Sequence, residues 1–107
     1  MTHNIAYALC RWDYISSSQA KFYDKIFSQD TWIFKGPVKK MDGNFQLGYP
    51  RCDQCIAYEI KKAGYILHNP SRQIKTYHLH NSKIRNYSFK QRITRPGIHV
   101  PISSLVL

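Results

Sequence analysis

The sequence predicts a small α/β domain, with a short mixed sheet and one main helix. Three observations predict it. Ile5-Ala6-Tyr7-Ala8-Leu9-Cys10 is a nearly unbroken apolar run, the pattern of a central strand covered on both faces. Asp53 to Ala63 carries the start and stop signals of a helix. Beyond it, Tyr65-Ile66-Leu67 and Ile74 to His80 read as short strands, parted by the turn residues Asn69-Pro70-Ser71.

Between the first strand and the helix the signals are mixed. Tyr14 to Gln19, with three consecutive serines, reads as a loop. Ala20 to Phe27 reads as a short helix with Phe22 and Ile26 on one face. Trp32-Ile33-Phe34 is an apolar cluster that stops at the breaker Gly36-Pro37. Asp42-Gly43-Asn44 signals a tight turn, and Leu47-Gly48-Tyr49-Pro50 leads into the main helix. There Asp53 suits the N-cap or first turn, Lys61 and Lys62 suit the negative C-terminal end, and Gly64 fits C′. Ile56 and Ile60 share a face, and Ala57 and Ala63 allow close packing.

From Asn81 the polar and basic residues, with Pro96-Gly97 and Pro101, suggest an irregular stretch. The division expected is a domain over 1–95 and an irregular tail over 96–107. A buried strand so near the first residue is unusual. Three or four short strands and one helix would also need neighbours to finish their burial. The expectation is an incomplete domain with a half missing upstream.

Composition bounds the function classes. Hydrophobic residues at 43% and aromatics at 14% exclude a disordered tail. At 107 residues the core margin is thin. Sixteen Lys and Arg against six Asp and Glu give a net charge of +10. That balance favours an anionic partner: nucleic acid, an acidic membrane surface or a phosphorylated small molecule. The cations are scattered, with pairs only at Lys39-Lys40 and Lys61-Lys62. Three cysteines, no signal-peptide tract and no apolar run of membrane length point to a reduced, cytoplasmic setting with free thiols.

Three constellations are candidates for chemistry. His78 and His80 alternate in a predicted strand, so both face one side, where two imidazoles suit a divalent metal. Two surface histidines on a strand edge fit the same spacing. Cys52-x-x-Cys55 opens the main helix, as a redox pair or half a zinc site does. The i, i+2 spacing of the histidines fits no common finger, and two accidental cysteines, one facing the core, fit as well. Asp30 and Asp53 stand out in a basic chain. A carboxylate beside a cleft can take a proton from an incoming hydroxyl. A helix cap at Asp53 and a loop residue at Asp30 are the plainer alternatives.

Read in order, several motifs resemble the middle of a family of glycosyltransferase-like proteins. They are Ala8-Leu9-Cys10-Arg11-Trp12-Asp13, Ser28-Gln29-Asp30-Thr31-Trp32-Ile33-Phe34-Lys35-Gly36-Pro37 and Leu47-Gly48-Tyr49-Pro50-Arg51-Cys52-Asp53. Ile56-Ala57-Tyr58-Glu59, Ala63-Gly64-Tyr65, Asn69-Pro70-Ser71, Ile74-Lys75-Thr76-Tyr77-His78-Leu79-His80 and Arg85-Asn86-Tyr87 continue it. The resemblance spans nearly the whole chain and is similar to the second half of a GT-A fold. It implies glycosyl transfer from a nucleotide-sugar donor to a glycan or other hydroxyl acceptor. Asp53 is then the base, and His78 or His80 a ligand to Mn²⁺ or Mg²⁺. Gln29, Asp30, Trp32 and Arg51 would line the acceptor side. The chain departs from the family after Pro50, where Arg51 stands for a Gly that grants backbone freedom and Gln54-Cys55 for Asn-Arg. The nucleotide-binding half implied by the resemblance is not in these residues, so a chain inactive alone is expected. It would work with a separate N-terminal half or by self-association.

A second class rests on composition. A small, basic, zinc-stabilised module would bind nucleic acid using Cys52, Cys55, His78 and His80. The interleaved Tyr87, Phe89, Lys83, Arg85, Lys90 and Arg92 support it.

Overall fold

The computed structural model describes residues 3–16, 19–22, 29–45, 49, 51–79 and 93–105. The elements are β1 (Ile5–Leu9), β2 (Trp12–Ser16), β3 (Gln19–Phe22), β4 (Thr31–Phe34), α1 (Cys52–Lys62), β5 (Ile66–His68) and β6 (Tyr77–His78). The expected α/β class with one main helix is what these residues form, with two small mixed sheets where one was expected.

β1 is the centre. All five of its residues are buried. It pairs antiparallel with β4 and parallel with β5, giving the order β4-β1-β5. Its two faces do different work, as strand alternation requires. Ile5, Tyr7 and Leu9 pack with Ile33 and Ile74. Ala6 and Ala8 face α1, meeting Ile60 and Ala57 respectively. Small residues on both sides let the helix lie close to the sheet.

α1 starts and stops as its sequence indicates, with Asp53 in the first turn and Lys61 and Lys62 in the last. Gly64 takes φ 106° just beyond the end, a conformation that glycine adopts without a Cβ penalty. Tyr65 then anchors the 35–45 segment. Its hydroxyl accepts from the Lys39 N–H (2.9 Å), and its ring meets Phe34 edge-on at 5.2 Å.

Two expectations are corrected. Of Tyr14 to Gln19, read as a loop, Tyr14 to Ser16 and Gln19 are strand, in β2 and β3, which pair antiparallel, and residues 17–18 lie outside the described residues. The register shifts between Tyr14 and Ser16, so the ladder passes through an irregularity where a serine run had suggested no strand. Ala20 to Phe22, read as the start of a helix, is strand, and residues 23–27 of that reading lie outside the described residues. Cross-strand packing of Trp12 on Phe22 outweighs a weak local helix preference.

The strand expected over Ile74 to His80 is shorter among the described residues. Only Tyr77–His78 forms it, parallel to β2, in a second sheet of order β3-β2-β6. Ile74 instead closes a turn, its N–H donating to the Pro70 carbonyl at 2.8 Å. His80 and residues 81–92 lie outside the described residues.

Residues 93–105 contain neither helix nor strand, as expected of the C-terminal stretch, yet they are built into the core. Ile93 and Val100 are buried, and Val100 packs on Ala8 and Ala57. Among the described residues no helix is long and apolar enough to cross a membrane.

Candidate functional site

The carboxyl ends of β1 and β5 point the same way, because the two strands are parallel. In open α/β sheets that edge is where ligands gather. Here it is braced by a buried polar network. The Ser71 hydroxyl donates to Asn69 Oδ1 and accepts from the Cys10 N–H (2.9 Å). Asn69 Nδ2 donates to the Val100 carbonyl at 2.8 Å and to Cys10 Sγ at 3.4 Å. The Ser71 carbonyl takes the Trp12 indole N–H at 2.8 Å. Asn69-Pro70-Ser71 is therefore the joint that locks the end of β1 to the start of β2.

Beside this joint lies a charged cluster. Arg11 follows β1 and donates through Nε to Asp13 Oδ1 at 2.9 Å, with a second nitrogen 4.0 Å from Asp30 Oδ2. Asp30 is held at the entry to β4, its N–H bonded to the Leu9 carbonyl at 3.0 Å. Asp53, from the first turn of α1, completes the group. Its carboxyl is pushed up to about 6, first by burial and then by the nearby charge of Asp30. Three groups oppose the rise: the Cys52 thiol, which donates at 3.4 Å, the Gln29 backbone N–H, and the Arg11 charge. A carboxylate with that affinity is ionised at neutral pH and still basic enough to accept a proton from a reacting hydroxyl.

Three of the sequence candidates thus meet: Gln29, Asp30 and Asp53. His78 is close by topology, standing opposite Asp13 in the β2–β6 register and so on the same face of that sheet. Its partner His80 lies outside the described residues. Among the described residues no group of three or more His, Cys, Asp or Glu side chains is placed to hold a metal ion. Cys55 is buried, and burial pushes its thiol up, the opposite of an activated redox cysteine.

The other two candidates sit elsewhere. Trp32 is half-buried in the core between sheet and helix, packed near Ala6 and Ala8, and its indole nitrogen is buried without a hydrogen-bond partner. Arg51 turns toward the C-terminal stretch, donating to the Ile93 and Arg95 carbonyls at 2.8 and 3.0 Å. It is a brace for that stretch. Its backbone has φ 71°, the left-handed conformation in which glycine is at ease.

Sequence reasoning overlooked Arg11 and Asp13 as site residues. The signal was present: a charged pair at i, i+2 directly after a fully apolar strand, where the chain leaves the core. Comparison with protein-family models, with curated proteins and with solved structures finds no match to this chain.

Proposed function

We propose that this chain supplies the acceptor side of a glycosyl-transfer site, with Asp53 as the general base. One observation carries the reading. A part-buried carboxyl with raised proton affinity stands among Asp30, Gln29 and Arg11 at the carboxyl edge of parallel strands. The serial motif resemblance supports it. In the reaction, the acceptor hydroxyl oxygen bonds to the sugar's anomeric carbon. The bond from that carbon to the nucleoside diphosphate breaks, and the leaving group takes the electron pair. Asp53 receives the hydroxyl proton and becomes the neutral acid. Asp30 and the Gln29 backbone hold the acceptor edge, while Arg11 pairs with Asp13 and stands beside Asp30.

The test is a two-dimensional NMR titration with a panel of methyl glycosides at pH 7.5 and pH 5. The expected result is movement of the Arg11, Gln29, Asp30 and Asp53 signals. Binding should be about tenfold weaker at the lower pH, and Asp53→Asn should abolish that pH dependence. A panel that leaves these signals unmoved overturns the reading.

A further inference from the structure

The β3-β2-β6 sheet has two faces of opposite chemistry. Asp13 and His78 stand on one, beside the carboxylate cluster. The other is aromatic. Trp12 of β2 stands between Phe22 of β3 and Tyr77 of β6 in the sheet register. The rings of Trp12 and Phe22 lie 5.0 Å apart, tilted by 38°. The Trp12 ring is fixed in place by its hydrogen bond to the Ser71 carbonyl. Tyr14, 41% exposed, and Tyr77, 53% exposed, extend the surface, which borders an open groove of about 630 Å³.

Charge decides what this groove suits. Lys75 Nζ lies 4.3 Å from the centre of the Trp12 ring, and the Arg72 guanidinium lies 4.6 Å from that of Phe22. Among the described residues no acidic side chain lines the groove. The described acids are engaged elsewhere: Asp13, Asp30 and Asp53 around Arg11, and Asp42 and Glu59 on Arg95. A neutral glycan would use the rings and waste the cations. An acidic peptide would use the cations and leave the rings idle. A ligand that alternates planar rings with negative charges uses both.

We propose that this face binds single-stranded nucleic acid, with bases stacked on the exposed Tyr14 and Tyr77 and phosphates taken by Lys75, over the Trp12 ring, and Arg72, over that of Phe22. The net charge of +10 adds long-range attraction for the same ligand. A duplex is a poorer fit, because its base faces are hidden in its own stack. The face is distinct from the carboxylate cluster, so it stands or falls independently of the sugar titration above.

The experiment is fluorescence anisotropy of a labelled 12-nucleotide oligouridylate with the full chain. Tyr14→Ala and Tyr77→Ala are each expected to weaken binding about tenfold, and Tyr14→Phe and Tyr77→Phe to restore it. Ile66→Ala, at an equally exposed apolar residue on β5, should leave the affinity unchanged. Binding should also fall with salt, with a log–log slope of about −0.7 for each phosphate neutralised. Four outcomes overturn the proposal: no binding, a 12-base-pair duplex bound as tightly, displacement by a neutral oligosaccharide, or Ala variants that bind like the wild type. The last would mean charge attraction without a stacking surface.

Discussion

Asp53 binds its proton more tightly in the folded chain than in the unfolded one, because burial there disfavours the charged form. The folded state therefore holds an extra proton between about pH 4 and pH 6. Stability falls as pH rises through that window and is flat above it. The shift to about 6 corresponds to roughly 2–3 kcal/mol of instability at neutral pH. Asp53→Asn keeps the shape and removes the charge. It should gain about 2 kcal/mol at pH 7 and flatten the slope between pH 4 and 6, read from urea melts at unit intervals. Arg51 offers a second residue-scale test. Arg51→Ala loses the side-chain hydrogen bonds to Ile93, Arg95 and Gln54 and keeps the left-handed backbone, whereas Arg51→Gly loses the same bonds and relaxes the backbone. The glycine variant should be more stable than the alanine variant by about 1 kcal/mol in the same melts.

At the scale of elements, α1 and the C-terminal stretch are fitted closely enough to leave no room for a methyl group. A Cβ on Gly97 would come within 2.8 Å of Gln54 Cβ and 3.1 Å of the Gln54 backbone, beside the hydrogen bond from Ile98 N–H to the Gln54 carbonyl (3.1 Å). Gly97→Ala should cost about 1–3 kcal/mol and broaden the amide signals of the first turn of α1. This junction was legible only as a turn signal at Pro96-Gly97, because its partner lies more than forty residues away. The elements that could be read locally were those with their own punctuation: β1 as an apolar run, and α1 with Asp53, its two lysines and Gly64. The β2–β3 hairpin was missed because its stability comes from ring packing and from a parallel neighbour, β6, at long sequence separation. In the site, Asp30 and Asp53 stood out by scarcity. Arg11 did not, since one arginine among sixteen cations carries no local mark until the fold places it between carboxylates.

For the whole molecule, the last dozen residues bear on whether the chain folds at all. Composition marked 96–107 as an irregular tail; residues 96–105 carry neither helix nor strand, but Val100 packs on Ala8 and Ala57. Its carbonyl takes the buried Asn69 amide, and Ser103 exchanges two further bonds with the Asn69 backbone, at 2.7 and 3.0 Å. Burying Val100 is worth about 1.5–3 kcal/mol, and each of the three hydrogen bonds about 1 kcal/mol. Removing them would also leave Asn69 buried beneath an opened core, with its side-chain amide short of an acceptor. The total is about 5 kcal/mol, comparable to the whole stability of a domain this size. A chain ending at Arg95 should therefore lose its fixed tertiary structure. The expected signature is collapsed amide dispersion and loss of the near-ultraviolet signal of Trp12 and Trp32. Val100→Ala, a milder change in the full chain, should remain folded and less stable by about 1–2 kcal/mol. A truncated chain with native dispersion would mean that the two sheets and α1 hold together without this strap, and that the boundary suggested by composition at residue 95 is a true domain edge.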